Sequence, residues 1–196
     1  MSNCVCQTEQ YQNFNITDKF YLSLSPVHII RTLMEEHQVI LIFCNELEKS
    51  VSEIKKSNST YDKQEILTKL RFISAHLLRN ERHHIREENT FMRRLVAMSD
   101  LEPTQELRKQ HHELWVLKRK LERTVLEASQ SVHGQLLKDL PNVSNQLIKM
   151  LRNHIDIENT ILFPQAVKMI SDKNEWQRMH TEAHNIGYCC FTPVIM

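Results

Sequence analysis

The chain has 196 residues, of which 41% are hydrophobic and 25% charged, with a formal net charge of +1. That is the size of one large domain with enough apolar material for a core, and its near-neutrality points to no nucleic-acid or anionic-membrane partner. Only two residues, Gly134 and Gly187, are glycine, whereas 11 are histidine, so Gly-rich phosphate loops are excluded and strand-rich folds with Gly turns are disfavoured.

In chain order, residues 1–24 are polar with scattered aromatics and read as a tail or docking arm. The N-terminus (MSNCVCQTEQ) has neither the basic nor the apolar region of a secretory signal. The longest apolar run, Val39 to Cys44, falls far short of the ~20 residues of a spanning helix. Five cysteines (Cys4, Cys6, Cys44, Cys189 and Cys190) form neither a disulfide framework nor paired CxxC motifs, so a reduced cytoplasmic protein is expected.

Four long helices are predicted at 26–57, 62–99, 103–132 and 139–171. Pro26, Pro103 and Pro141 stand at or near three of the starts, where a missing N–H costs least. Ser25 is the expected cap of the first helix, and Thr60 or Asp62 of the second. The Ser57-Asn58-Ser59 stretch and Gly134 fall in linkers, and a short amphipathic segment at 173–183 precedes a tail with Pro193. The domain reading is therefore a tail over 1–24, a helical domain over 25–172, and a short helix with a tail over 173–196. Short connections make consecutive helices antiparallel neighbours, which gives an all-α, up-down-up-down four-helix bundle.

Within these helices, apolar residues recur in steps of three and four, the spacing of one inward stripe. The first stripe runs Ile30, Leu33, His37, Ile40, Cys44 and Leu47; the third runs Leu107, His111, Leu114 and Leu121. Each of the four stripes is interrupted by one histidine, and in the second and fourth a glutamate follows four residues later: His84/Glu88 and His154/Glu158. The two helices also match locally, Arg82-His83-His84-Ile85 with Glu88-Asn89-Thr90-Phe91 against Arg152-Asn153-His154-Ile155 with Glu158-Asn159-Thr160-Ile161. This match and the stripe select His84/Glu88 over His83/Glu87, which the periodicity places on a polar face, and His111 over His112. Measured along the helices at ~1.5 Å per residue, the six residues fall in one slab roughly 14 Å thick.

Burying two carboxylates in an apolar core is costly unless a positive charge compensates, and Lys118 is the one stripe cation that could serve. A dinuclear metal centre supplies that charge directly. Four imidazoles and two carboxylates without a thiolate suit iron or manganese, including a mixed pair, better than structural zinc. His37, His84, His111 and His154 are then terminal ligands, with Glu88 and Glu158 bridging. An oxo or hydroxo bridge would leave a position open for O2, NO, peroxide or water. The other histidines, His28, His76, His83, His112, His133, His180 and His184, read as surface or outer residues; His83 and His112, next to proposed ligands, are the expected outer partners, or else the ligands in place of their neighbours. Cys44 reads as a buried thiol.

The order His37 … His84-xxx-Glu88 … His111 … His154-xxx-Glu158, followed by Leu162-Phe163-Pro164, resembles the hemerythrin-like (HHE cation-binding) family over about residues 26–171. The resemblance implies a four-helix bundle with a non-haem di-iron centre. Family members carry or sense O2, respond to NO, handle peroxide, or store and repair iron centres. Oxygen carriers place a histidine where Trp115 stands here, so reversible O2 carriage is disfavoured and Trp115 is expected to wall a small-molecule pocket. The second helix has Arg93 and Arg94 in place of the Phe-Pro pair, and Pro164 is expected to kink the fourth. The tail Gly187-Tyr188-Cys189-Cys190-Phe191-Thr192-Pro193 resembles that of a regulatory subset. The expected function is sensing of, or reaction with, a diatomic or peroxide ligand, together with a protein partner for signalling or iron transfer. The alternatives are an iron-donating repair factor, a peroxidase-like enzyme, and a metal-free helical interaction module.

Overall fold

The computed structural model describes residues 18–57, 59–98, 102–130 and 135–192. Most of the predicted N-terminal tail, with Cys4 and Cys6, lies outside them, as do Asn58, His133, Gly134 and Pro193. Every regular element among the described residues is helical: α1 (Lys19–Ser23), α2 (Ile29–Lys56), α3 (Thr60–Leu78), α4 (Glu81–Glu87), α5 (Arg93–Met98), α6 (Glu102–Gln130), α7 (Gln135–Ile157), α8 (Phe163–Met169) and α9 (Lys173–Ile186). Single π-helical turns, Glu88–Met92 and Glu158–Leu162, join α4 to α5 and α7 to α8. No described helix is long and apolar enough to cross a membrane.

The helix ends differ from the prediction for local reasons. Residues 25–28 form a turn in which the His28 N–H donates to the Ser25 carbonyl at 2.9 Å, so α2 starts at Ile29. Its first-turn amide, that of Ile30, is taken at 3.3 Å by the His28 imidazole, not by the Ser25 hydroxyl. Ser59, one residue before the expected caps, accepts from the Asp62 N–H at 3.3 Å and starts α3. Pro141 lies inside α7, and the helix tolerates the loss of one backbone bond there. The second predicted helix breaks at Arg79 and Asn80, where ψ flattens to −3° and 8°. The Asn80 carbonyl then accepts from the His83 N–H at 2.9 Å and from the Cys189 thiol at 3.8 Å. Pro164, expected to kink the fourth helix, instead follows a π turn in which the Phe163 N–H reaches the Glu158 carbonyl.

The described residues divide into two compact units, one drawn from 18–39, 80–110 and 154–192, the other from 40–79 and 111–153. The first is built on a cluster that includes Ile30, Leu33, Phe91, Leu95, Leu162 and Phe163. In this unit α9 packs on α4 and on the π turn that follows it. Arg94, standing where a Phe-Pro pair was expected, clamps α9: Nε donates to Glu175 at 2.6 Å, and its two terminal nitrogens donate to Glu182 at 2.7 and 2.9 Å.

Beyond α9 the chain turns on Gly187, at φ 87° and ψ 174°, a conformation open essentially to glycine. An added Cβ would also stand 3.2 Å from Nη1 of Arg82. The turn lays Tyr188–Thr192 against α4, with Arg82 donating to the Tyr188 carbonyl at 3.3 Å and Cys189 and Phe191 buried. Gly187→Ala is expected to cost about 1–3 kcal/mol, read as a lowered thermal midpoint.

His28 packs its ring 4.4 Å from that of Trp176, and burial pushes its imidazole down to about 4. Lys173 and His180 line the same recess. Between pH 6.5 and 4 the unfolded chain therefore takes up a proton that folded His28 refuses, and stability falls as pH falls through that window. His28→Asn is expected to flatten the dependence of the thermal midpoint on pH there.

In the second unit the expected stripes hold: Ile40, Cys44, Leu47, Leu114 and Leu121 are buried. Cys44 is buried as expected; burial pushes its thiol up to about 12, against the charges of Arg152 and Lys118. His76, expected at the surface, is buried instead. Its Nδ1 donates to the Phe72 carbonyl one turn back at 2.7 Å, and its ring lies 4.0 Å from that of Phe72.

Candidate metal centre

His37 comes from α2, while His83, His84 and Glu87 come from the single short helix α4. His154 lies near the end of α7, and Glu158 opens the π turn that follows. All six lie in the first unit and all are buried. Two groups form. Ligand atoms of His37, His83, Glu87 and Glu158 lie within 4.8 Å of one another, and those of His84, Glu87 and His154 meet the same limit. Glu87 is common to both. Glu158 links them differently: its Oε2 faces His37 Nε2 and its Oε1 faces His154 Nε2, each at 3.2 Å.

The spacing fits a cation. Two donors each about 2.0–2.1 Å from one ion, at tetrahedral or octahedral angles, stand about 2.9–3.4 Å apart. Nε2 of His37 and Nε2 of His83 are 2.9 Å apart, and His83 Nε2 is 3.2 Å from Glu87 Oε1. The chemistry of the set agrees, since two fully buried carboxylates converge on imidazole nitrogens.

The outward nitrogens are held too. Nδ1 of His37 donates to Asn159 Oδ1 at 2.9 Å, Nδ1 of His154 to Gln110 Oε1 at 3.1 Å, and Nδ1 of His83 to Glu36 Oε2 at 2.6 Å. Each bond fixes the tautomer that turns Nε2 toward the cluster. Phe163 stacks on the His37 ring with centroids 5.5 Å apart, which gives the Leu162-Phe163-Pro164 stretch a packing role.

Glu36 is fully buried and paired with Arg86, itself fully buried, whose Nη2 lies 2.6 and 2.5 Å from the two carboxylate oxygens. Burial pushes the Glu36 carboxyl up, but the His83 hydrogen bond and the Arg86 charge outweigh it and hold the group down at about 2. Burial likewise lowers His83, but the Glu87 charge and the bonds to Glu36 and Glu87 raise it to about 10 in the metal-free chain.

Set against the sequence, the structure brings together His37, His84, His154 and Glu158 and leaves Glu88 aside. The Glu88 side chain is 30% exposed and faces Arg108 Nε at 3.7 Å. Glu87 occupies the cluster, and His83, expected as an outer partner on a polar face, is buried among the donors. The reason is the break at Arg79 and Asn80 followed by the π turn, which displace the buried face from strict helical steps. Glu36, Asn159 and Gln110 were missed; each is the immediate neighbour of a predicted ligand, a position that a 3.6-residue period assigns to the flank.

His111 follows Gln110 on α6, opens the second unit and is buried. Trp115, expected to wall a pocket, is instead 39% exposed in that unit. It stacks with exposed His112 at 6.0 Å and lies under Arg119 at 5.5 Å, so neither it nor His112 is an inward residue.

No curated protein matches the chain. The sequence pattern described as the Hemerythrin HHE cation binding domain matches residues 28–166, a stretch holding every donor and outer partner named above. Because that match takes in well over half of the sequence, the chain belongs to the hemerythrin HHE cation-binding domain family.

Proposed function

We propose that this protein binds a non-haem di-iron centre and uses it to sense or react with O2, NO or peroxide. The observation that carries this reading is the double use of both carboxylates, Glu87 by shared membership and Glu158 by its two oxygens. On this reading His37 and His83 hold one ion, His84, His111 and His154 hold the other, and Glu87 and Glu158 lie between them. His111 is included because it shares the stripe of Leu107 and Leu114 on α6. His83 supplies on α4 the fifth imidazole whose absence from α6 is marked by Trp115. Imidazole and carboxylate donors without thiolate suit iron or manganese.

The His37/His83 side has one histidine fewer, so coordination is more open there to a small exogenous ligand. Bound iron would supply ligand-binding and redox chemistry. The chain's own contribution is to orient imidazoles through Glu36, Asn159 and Gln110, to set Phe163 against His37, and to keep water from donors that are buried throughout. A shell this closed favours retention of metal over its donation to an acceptor. The family reading also implies the up-down-up-down four-helix arrangement.

Metal analysis and optical spectroscopy of protein reconstituted anaerobically with ferrous salt test the proposal. About two irons per chain, as in di-iron carboxylate bundles, and a spectrum that changes on exposure to NO or O2 are expected. Protein that takes up no iron would overturn it, and iron passing readily to an apo acceptor would favour the repair factor.

A further inference from the structure

We infer that Glu36 is a positioning residue for His83, and that the C-terminal segment Tyr188–Thr192 holds Glu36 in place, so that this segment governs how firmly the His37/His83 side keeps its metal. The inference rests on the two-metal reading above.

Of the three imidazoles whose outer bonds are described, His37 and His154 donate to neutral amide oxygens, and His83 alone donates to a carboxylate. A carboxylate behind a metal-binding histidine both orients the ring and raises its basicity. Its own placement therefore matters more than that of the two amides. A carboxylate offers about four acceptor sites, and those of Glu36 are engaged from three sides. Oε2 accepts from His83, both oxygens accept from Arg86, and Oε1 accepts from the Thr192 hydroxyl.

Two of these three supports lead to the C-terminal segment. Thr192 belongs to it. Arg86 is embraced by it, with Nη2 lying 3.7 Å from Cys189 Sγ and the guanidinium carbon 5.1 Å from the centroid of the Tyr188 ring. Burial raises the Cys189 thiol, so it stays a neutral contact rather than a competing anion. The segment is itself fixed at both ends: buried Phe191 adjoins Thr192, and Gly187 makes the turn out of α9. A chain of contacts thus runs from Thr192 through Glu36 to His83 Nε2, about 2.9 Å from its partner imidazole on His37.

The test is the rate at which iron leaves loaded full-length protein in an excess of ferrous chelator, followed by absorbance, with the thermal midpoint recorded for each variant. Thr192→Val keeps the shape of the side chain but removes the hydroxyl, and should speed release of one half of the iron roughly tenfold, within the about 10–100-fold range for lost outer partners. The other half should leave at the wild-type rate. Thr192→Ser should restore slow release, which a packing role for the methyl group would not do. Glu36→Gln should act on the same half more strongly. Should Glu36→Gln fail to fold, the Val/Ser pair at position 192 still decides. Unchanged release in Thr192→Val would overturn the inference and leave the two-metal reading intact, whereas wild-type protein that holds no iron would overturn both.

Discussion

Alanine in place of Glu87 is expected to strip the protein of both irons, while alanine in place of its neighbour Glu88 leaves them bound. Glu87 is fully buried and belongs to both groups of donors. On the two-metal reading its loss would remove a shared anion from each ion, and the drop in affinity should exceed the about 10–100-fold typical of an outer partner. Glu88 lies 30% exposed, and its pairing with Arg108 is worth about 0–1 kcal/mol. Metal content after gel filtration of the reconstituted variants reads the difference directly; equal iron in Glu87→Ala and Glu88→Ala would refute the assignment. Iron should stabilise the wild type by about 2.7 kcal/mol at a hundred times its dissociation constant.

Arg86→Met should be the most damaging single change outside the donors. The guanidinium and the Glu36 carboxylate are both fully buried and in direct contact, and removing one member of such a pair takes away the countercharge of the other, at about 3–5 kcal/mol. For a chain of this length each kcal/mol lowers the melting midpoint by about 2–4 °C, so calorimetry should register a drop of about 6–20 °C. Combining Arg86→Met with Glu36→Leu should lose much less than the sum, because the two opposite charges then leave together. An additive pair would mean that the two do not act on one another.

His37, His154 and Glu158 were legible because their helices keep strict steps up to the donors, and the local repeat around His154 reinforced them. The same repeat misled at the second helix. His83/Glu87 and His84/Glu88 share one spacing, and a sequence holding both pairs does not reveal that the helix flattens at Arg79 and widens after Glu87. Both neighbouring histidines are in fact buried, which no single helical stripe anticipates. Glu36 was hidden for a different reason. Its partners Arg86 and Thr192 lie 50 and 156 positions away, and only folding shows that these charges and hydroxyls meet. The letter at Trp115 carried no information about which way its ring faces, and the ring is in fact 39% exposed.

The two π turns have a consequence for how this chain can change length. Each holds one residue more than an α-helical turn would, immediately after the carboxylate that enters the cluster at Glu87 or within the turn opened by Glu158. Deleting one residue there would let the helix close into regular α geometry while later residues keep their faces, because the widened turn is what absorbs the extra residue. Adding or removing a residue in a regular α-helical turn would instead swing the rest of that helix by about 100° around the axis. Such a change between Glu158 and Phe163 that the wider turn does not absorb would take the Phe163 ring off His37. Stretches 88–92 and 158–162 are therefore where this chain should best bear the loss of a single residue, a slack that the straight helices beside them lack.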